Sequence, residues 1–396
     1  MKKLLVISAF VPYKNVPHAG GKTHYYYLCK YAEEFDTRLV TFADANEMES
    51  AKNDLDQLNI KYSIIERKWT IREKVLNKES TLNPFNRNCR MVSNTEQIDL
   101  NKEIRKLKKC GYSPDIIILE WTQMLLACRN IRKLFPNAKI VASEHDVSFL
   151  AYERKYKIAS GIRRIAKNIE YKSMLNKECK SLINLDLILV HNQKDKELLL
   201  DVKIDESKIQ VIVPYFSHLN AAKRNNSRNI LFFGAMSRKE NYLSAIWFIE
   251  NVFCKLIGFK FIILGGNPSP VLEKYKSKEI IITGFVDDVQ PYFDDAFCFV
   301  SPLVMGGGIK VKILEAFTAG LPVLTNSIGI EGIPAKCNRD YIHCEESTDY
   351  FNSIIKLDTN RDFAMRIGAN GKEFIERNFN TDASANDLIR KLQSLF

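Results

Sequence analysis

The stretch MGGGIKVKILEAFTAG, residues 305–320, places three glycines directly before an almost wholly apolar helix. Glycine lets a ligand approach the backbone closely, and the free N–H groups at a helix start favour phosphate. Lys310 adds a cation at that start, where the helix dipole alone disfavours one, so an anion is expected between them. Glu315 lies on the apolar helix and needs hydrogen-bond donors. Ribose hydroxyls beside a bound diphosphate would supply them, and an i, i+3 pair with Lys312 is the alternative.

Short β-rich apolar runs alternate with helical stretches on both sides of this segment. The runs that we predict as buried parallel strands are LLVISAF (4–10), RLVTFA (38–43), DIIILE (115–120), KIVASE (139–144), LILVHN (187–192), ILFFGA (230–235), FKFIILGG (259–266), EIIITGFV (279–286), AFCFVSPL (296–303) and LPVLTNS (321–327). Two successive βα series of this size predict an α/β protein with two doubly wound, Rossmann-like domains facing across a cleft. Ligands of such sheets bind at the carboxyl ends of the strands.

The chain of 396 residues, 46% of them apolar, can bury the cores of two domains. We place an N-terminal domain at 1–210, a polar linker at 211–229, a C-terminal domain at 230–378, and a final helix at 379–396 that packs back towards the first domain. No run approaches the roughly 18 to 20 apolar residues that span a bilayer. The start, MKKLLVISAF, is interpreted as a first strand rather than a signal peptide. The nine cysteines are scattered, which predicts reduced thiols in a cytosolic protein and argues against structural zinc.

The segment DVQPYFDDAFCFVSPLVMGGGIKVKILEAFTAGLPVLTNSIGIEGI (288–333) resembles the donor-binding segment of the GT-B glycosyltransferases, specifically retaining family 4, the glycosyl transferases group 1. The resemblance extends back through ITGFVDD and FFGAMSRKENYLSAIWF to the N-terminal glycine loop, so it covers most of the chain. It implies that a nucleotide-sugar is the donor substrate, and that neither a cofactor nor an active-site metal is needed. Asp287–Asp288 and Asp294–Asp295 are accordingly interpreted as turn and helix-start residues.

The resemblance assigns the donor site residue by residue. Glu315 matches the acid that binds the nucleotide ribose in relatives, while Gly307 stands where relatives have a further acid. A branch with the pattern G-x-G-I-[RK]-x-K-x-L-E departs in the same way. Its pattern implies sugar contacts from the backbone and a catalytic Lys310 beside the phosphates. The backbone positions concerned are Gly306, Gly307, Gly308 and Ile309.

Further donor contacts follow from two other strand ends. Many relatives clamp the diphosphate with an Arg directly after a glycine, but here Ala235 stands at that position. The cations come later, as Arg238, a catalytic candidate, and Lys239. The resemblance also implies that the base is read after the strand EIIITGFV, by the backbone of Gly284, Phe285 and Val286.

The N-terminal loop VPHAGGKTHYYY (16–27) contains GKT but lacks the first glycine of a P-loop, because Val16 stands there. We expect Gly20 and Gly21 to turn the chain tightly against the donor diphosphate and the acceptor across the cleft, with an ordinary strand-to-helix turn as the alternative. His145 follows the strand KIVASE and is a catalytic candidate that could bond the donor sugar or the attacking hydroxyl. Glu120 and His18 are candidates on the acceptor side.

The net charge of +11 is concentrated in residues 152–180, which carry nine Lys or Arg against three Glu. Apolar residues recur there at helical spacing, at Ile158, Ile162, Ile165, Ile169 and Met174. We expect this basic amphipathic helix or helix pair to pack its apolar face on its own domain, with docking on an anionic membrane as the alternative. Nucleic-acid binding is ranked low, because no recognition motif accompanies the charge.

The sequence therefore predicts a metal-independent, retaining glycosyltransferase that transfers a hexose-type sugar from a UDP- or GDP-sugar to a glycan or lipid-linked acceptor, as in bacterial surface polysaccharide or glycoconjugate synthesis. An NDP-sugar epimerase or a glycogen-type synthase on the same fold, and a non-catalytic partner subunit that binds sugar nucleotides, stay open as alternatives. We expect the protein in the cytoplasm, with a peripheral position at the inner face of the cell membrane as an open extension.

Overall fold

The computed structural model describes residues 1–67, 92–128, 130–220 and 227–396. These residues form two compact units, Met1–Val213 with Asp382–Phe396, and Pro214–Thr381. Residues 221–226 of the predicted linker lie outside the described residues. The segment from Pro214 onward belongs to the second unit, and the end of the chain belongs to the first.

The described part of the first unit is built on a seven-stranded parallel sheet in the order β3-β2-β1-β4-β5-β6-β7. Its strands are β1 Lys3–Ser8, β2 Asp36–Ala43, β3 Lys61–Glu66, β4 Ile116–Glu120, β5 Lys139–Glu144, β6 Leu187–Val190 and β7 Ile209–Val211. Its helices are α1 Ala19–Glu34, α2 Ala45–Gln57, α3 Asn94–Lys109, α4 Trp121–Ala127, α5 Ile131–Leu134, α6 Ser148–Lys157, α7 Gly161–Leu182, α8 Gln193–Asp201 and, from the end of the chain, α15 Thr381–Gln393.

The second unit contains a six-stranded parallel sheet in the order β10-β9-β8-β11-β12-β13. Its strands are β8 Asn229–Phe233, β9 Lys260–Leu264, β10 Ile280–Gly284, β11 Ala296–Ser301, β12 Val323–Thr325 and β13 Ile342–His343. Its described helices are α9 Lys239–Asn251, α10 Pro270–Glu273, α11 Gln290–Asp294, α12 Val311–Thr318, α13 Ser347–Thr359 and α14 Arg361–Asn378. Both sheets are doubly wound, which confirms the predicted fold class.

Burial on both faces explains why the central strands are continuous apolar runs. Along β1, Leu5 and Ile7 belong to one core cluster, whereas Leu4 and Val6 belong to another. Successive side chains of a strand point to opposite faces, so a strand covered on both sides loses its polar alternation. Leu388 of α15 is fully buried in the second of these clusters, which places the last helix in the core of the first unit.

The ten predicted strands are all present, and the start of the chain forms β1 as expected. Three strands were missed, namely β3, β7 and β13. β3 is only half-buried and has polar and charged residues, while β7 and β13 are three and two residues long at sheet edges. The eight cysteines of the described residues are free. None of the helices in the described ranges is long and apolar enough to cross a membrane.

The basic segment forms a helical hairpin from α6 and α7, but its apolar residues divide in a way that the sequence analysis did not expect. Met174 is buried as predicted, whereas Ile158, Ile162, Ile165 and Ile169 are exposed to solvent. The prediction that this apolar face packs on its own domain is therefore wrong for the four isoleucines. The pattern gave the helical period correctly, but the helix buries another face.

One buried acid, Glu178, fixes the base of this hairpin, and a second, Glu144, lies near it. The carboxylate of Glu178, in α7, accepts the backbone N–H groups of Ser148 and Phe149, each at 2.8 Å, at the start of α6. Glu144, at the end of β5, accepts a hydrogen bond from the hydroxyl of Thr122. Burial raises the pKa of Glu178 to about 7. Burial, and then the nearby Glu178, raise the pKa of Glu144 well above its ordinary value of 4.5.

We expect the Glu144→Gln variant to be more stable than the wild type at pH 8 and to lose this advantage near pH 5. A carboxyl whose pKa is raised in the folded state adds stability below its unfolded pKa, and that stability is lost as pH rises through the folded pKa. Glutamine keeps an acceptor for Thr122 and does not titrate. Unfolding temperatures of both proteins at pH 5, 6, 7 and 8 measure the difference, in which titrating groups remote from Glu144 cancel. A difference independent of pH would contradict a raised pKa at Glu144.

Candidate functional site

The strand order of each sheet contains a topological switch point. The carboxyl ends of the strands at that point form one edge of the sheet. In the first unit the chain order reverses between β1 and β4, and in the second between β8 and β11. Loops that follow such strands diverge to opposite faces and leave a crevice at the carboxyl ends, where ligands of open α/β sheets bind. The predicted site residues cluster at these two edges, one in each unit.

Glycines line the carboxyl ends of the strands in the second unit. Gly234 follows β8 with φ +155°, Gly265 follows β9 with φ +147°, and Gly284 ends β10 with φ +72°. A Cβ at Gly265 would stand 1.8 Å from the carbonyl oxygen of Gly234, so only glycine fits there. The space of a side chain is filled by protein atoms at Gly265 and Gly234, whereas a Cβ at Gly284 would meet nothing within 4 Å, so the backbone there is open to close approach by a ligand.

The glycine loop of residues 306–308 leads from β11 to α12 and is closed by Lys310. The Lys310 amine donates to the carbonyl oxygens of Gly307 at 3.0 Å and Gly308 at 2.5 Å. Its Nζ also lies 4.0 Å from a carboxylate oxygen of Glu331. In this arrangement the amine stabilises the loop itself, and its contact with a phosphate stays a prediction.

Lys312, considered above only as an ion-pair partner of Glu315, lies beside Gly234. It reaches from α12 to the end of β8, and its Nζ would be 3.0 Å from a Cβ placed on Gly234. The amine donates to Asn241 Oδ1 at 2.5 Å and stands 4.8 Å from the centre of the Phe232 ring. The residue keeps some solvent exposure, but the amine is surrounded by protein atoms.

The charge of Lys312 is destabilised by this position. Burial, and then the nearby Lys310, lower the pKa of the Lys312 amine from 10.5 to about 7. A hydrogen bond to a neutral amide compensates little of the lost hydration of a cation. An anion at the glycine-lined edge would restore the ordinary pKa, and this is what a diphosphate group supplies.

Glu315 is buried on α12 and contacts the segment that begins the second unit. Its Oε1 accepts the backbone N–H of Ser217 at 3.3 Å. One turn later the Thr318 hydroxyl oxygen accepts the N–H of Leu219 at 3.1 Å. The protein thus provides a donor for this carboxylate, and the binding of ribose hydroxyls stays a prediction. The alternative partner proposed for Glu315 was Lys312, and the amine of Lys312 donates to Asn241.

The other predicted donor residues lie along the same glycine-lined edge but are more open. Arg238 and Lys239 are exposed at the start of α9, and the guanidinium of Arg238 forms an ion pair with Glu240 at 2.5 Å. Phe285, directly after Gly284, is highly exposed, and Val286 is half-buried. Of the four predicted aspartates, Asp288 accepts the backbone N–H of Gln290, Asp294 accepts from the Gln290 side chain, and Asp295 from that of Asn229.

In the first unit, an acid, an imidazole and an indole meet at the strand ends. Glu120 ends β4 and is buried, and its Oε2 lies 3.0 Å from Nε2 of His145. Trp121 stacks on the His145 ring with centroids 4.3 Å apart. Trp121 has φ +68°, a conformation that is strained for a bulky residue and must be held by its surroundings. Two more buried imidazoles, His24 and His191, line this cluster.

The electrostatics of this cluster define how His145 is protonated. Burial, and then the nearby His18, lower the pKa of His145 to about 3, so its imidazole is neutral at neutral pH. A neutral ring donates from only one nitrogen, and the carboxylate of Glu120 requires a donor at Nε2. Nδ1 is therefore an acceptor. A Cβ at Gly20 would lie only 3.2 Å from it, so glycine there keeps Nδ1 uncovered.

The remaining first-unit candidates have identifiable local roles. Nδ1 of His18 accepts the backbone N–H of Gly21 at 2.9 Å and caps the start of α1. Glu120 is the hydrogen-bond partner of His145 rather than an open carboxylate. The sequence analysis missed Lys312, Asn241 and Trp121 as members of these sites. The lysine of the pattern G-x-G-I-[RK]-x-K-x-L-E was the signal for the first, and position directly after a strand was the signal for Trp121.

Comparison with known proteins agrees with this geometry. Residues 227–360 match the family model described as "Glycosyl transferases group 1", and this range contains the glycine-lined edge, Lys312 and Glu315. An uncharacterized 44.6 kDa protein in the cps region of Klebsiella pneumoniae is 24% identical over 166 residues, which are 39% of this chain and 43% of that protein. The chain thus matches less than half the length of this curated relative.

Solved structures resemble the whole chain. Anabaena HepE, solved in complex with UDP-glucose, has a TM-score of 0.70 at 13% identity, with 100% of both chains covered. Sucrose-phosphate synthase from Thermosynechococcus elongatus has a TM-score of 0.72 at 15% identity, with 100% of this chain and 99% of that chain covered. At these identities the likeness shows the fold, which is GT-B.

We expect the wild type to gain stability relative to the Lys312→Met variant as pH rises from 7 towards 10. Because the pKa of Lys312 is about 7 in the folded protein and 10.5 ordinarily, the unfolded state binds more protons between these values. Denaturant unfolding of both proteins at pH 6.5, 8 and 9.5 measures the change. Lys276→Met, at an exposed position of the same unit, is the control and should show no such trend. Parallel pH profiles for wild type and Lys312→Met would contradict the lowered pKa.

Proposed function

We propose that this protein is a retaining glycosyltransferase that moves a sugar from a nucleotide-diphosphate donor, UDP- or GDP-linked, to a hydroxyl of a glycan or lipid-linked acceptor. The observation that carries the proposal is the poorly solvated amine of Lys312 at a glycine-lined strand edge. It lies in the segment that matches the group 1 glycosyltransferase model. A role in surface polysaccharide or glycoconjugate synthesis is supported by the relative from a cps region.

The donor diphosphate is assigned to the edge formed by Gly234, the glycine loop and Lys312. The backbone N–H groups at the start of α12 add partial positive charge there. Glu315 is assigned to the ribose hydroxyls, and the exposed backbone of residues 284–286 to the base. UDP and UDP-glucose are bound by the structurally similar HepE, which favours a uridine donor for this chain.

Transfer breaks the bond between the anomeric carbon and the phosphate oxygen and forms a bond between that carbon and the acceptor oxygen. The proton of the acceptor hydroxyl passes to the leaving diphosphate, so no other base has to be consumed. Negative charge develops on the departing phosphate, where Lys312 and the helix N–H groups stabilise it more in the transition state than in the bound donor. In the first unit, the acceptor nitrogen Nδ1 of His145 is suited to receive a hydrogen bond from a sugar hydroxyl.

The test is turnover of nucleotide-sugars by the purified chain. We expect one donor among UDP-, GDP- and ADP-sugars to raise the unfolding temperature and to be hydrolysed slowly in water, whereas a binding subunit would only bind it. NMR of the released sugar, followed from the first minutes, should show the anomer of the donor. Stabilisation without any hydrolysis or transfer would refute the enzymatic assignment, and an inverted product would refute retention.

A pair of lysine variants separates the two candidate phosphate contacts. We expect Lys312→Met to lower kcat by roughly 10²- to 10³-fold, the usual effect of a lost oxyanion donor. Lys310→Met should mainly raise the donor KM, since its amine holds the loop carbonyls. Arg238→Met, which removes an exposed cation, is the matched control and should cost less than either. If Lys312→Met kept nearly normal activity and Lys310→Met were inactive, the phosphate contact would be assigned to Lys310 instead.

We further expect full activity in EDTA. Lys312 and the N–H groups of α12 would neutralise the diphosphate in the proposed complex, which makes a bridging cation unnecessary. Initial rates with saturating donor, before and after chelation and after addition of Mg²⁺ or Mn²⁺, measure this. Loss of the chemical step in EDTA and its recovery with either metal would contradict metal independence.

A further inference from the structure

The hairpin of α6 and α7, residues 148–182, exposes a stripe of isoleucines. Ile158 is 85% exposed, Ile162 87%, Ile165 65% and Ile169 48%. Single exposed apolar residues are common on protein surfaces, but a contiguous apolar stripe marks an interaction site. We call these four residues the isoleucine stripe.

The stripe lies on the side of α7 that faces away from the protein. At about 100° per residue, Ile162, Ile165 and Ile169 project in nearly the same direction. The buried residues Met174 and Leu182 project roughly opposite to them. Ile158 precedes α7 in the turn between the helices, at the tip of the hairpin. The helix therefore has two apolar sides, one of which lies in the core and the other in solvent.

Positive charge surrounds the stripe without exposed acids to balance it. The exposed cations of the hairpin are Lys155, Lys157, Arg163, Arg164, Lys172 and Lys180. Its acids are occupied: Glu153 is paired with Lys157 at 2.9 Å and Glu170 with Lys167 at 2.8 Å, while Glu178 is buried at the hairpin base. The solvent-facing surface thus combines aliphatic side chains with more cations than acids, although Lys157 is paired with Glu153.

We propose that this hairpin docks on an anionic lipid surface, with the isoleucine stripe inserted among the acyl chains and its cations on the lipid phosphates. Aliphatic residues flanked by Lys and Arg are what the membrane interface favours. A second copy of the chain is a poorer occupant, since a two-fold interface would bring the same cations against each other. Nucleic acid would contact the cations but would leave the isoleucines exposed to water. The proposal goes beyond glycosyl transfer and does not depend on it.

The first experiment is flotation of the full chain with vesicles. We expect it to float with phosphatidylcholine vesicles that contain 30% phosphatidylglycerol at low salt, to float poorly with pure phosphatidylcholine, and to be released by about 0.5 M NaCl. Absence of flotation with anionic vesicles at low salt overturns the proposal.

Two pairs of variants test the two halves of the surface. Arg163→Glu with Lys172→Glu should lower the partition coefficient at least about 25-fold, since each cation near an anionic surface contributes about 5-fold. Ile162→Ser with Ile165→Ser should lower it about 10-fold or more while charge is kept. All four positions are exposed, so circular dichroism and unfolding temperature should match the wild type.

Matched controls lie in the second unit. Ile257→Ser removes an isoleucine that is 92% exposed, and Lys276→Glu with Lys278→Glu reverses two exposed charges. Neither should change flotation by more than about 2-fold. Flotation that is lost equally in the controls would mean binding by overall charge and would overturn the assignment to the hairpin.

Sedimentation velocity distinguishes the other occupant. We expect the wild type and the isoleucine variant to sediment alike without lipid. A self-associating wild type that becomes monomeric when Ile162 and Ile165 are replaced, with vesicle binding unchanged, would assign the stripe to a second copy and overturn the lipid proposal.

Discussion

A parallel sheet covered on both faces leaves only its strand ends free for polar chemistry, and the functional features of both units follow from this constraint. The central strands β1, β4 and β6 are buried along their apolar lengths, and polar groups there would lose hydration without gaining partners. At the carboxyl ends the backbone turns away from the ladder. Glycine, imidazole, carboxylate and ammonium groups collect at these ends, because only there can they meet each other and a ligand.

The two units have the same topology but differ in the electrostatics of the groups at their strand ends. The first ends its strands with His145 and His191, whose pKa values burial lowers to about 3, so the rings are neutral and suited to hydroxyl groups. The second ends its strands with glycine and brings up the amine of Lys312, whose charged form favours an anion. The duplicated architecture therefore says little about ligands, and the difference comes entirely from the residues that follow the strands.

Sequence patterns gave the strands of both sheets and the glycine loop, because these depend on local composition. They missed the contact of Lys312 with Asn241, which joins positions 71 residues apart and exists only when α12 and α9 meet at one strand end. They also missed β3, whose edge position lets it carry charged residues. In the hairpin, periodicity grouped Met174 with the isoleucines, although Met174 lies on the opposite, buried side of α7. Which face of a helix is covered depends on its neighbours, and no period encodes that.

Ionisable groups held against their preferred charge state lower stability, so their presence calls for a compensating role. For Lys312 that role is anion binding in the proposed donor site. For Glu178 the role is structural. Its carboxylate, in α7, accepts the first backbone N–H groups of α6, and this fixes the two helices to each other at their base. Rotating α7 to bury Ile162 and Ile165 would move Glu178 off these groups and expose Met174. The hairpin is therefore locked in the orientation that presents its isoleucines, and their exposure is a property of the fold rather than a packing defect.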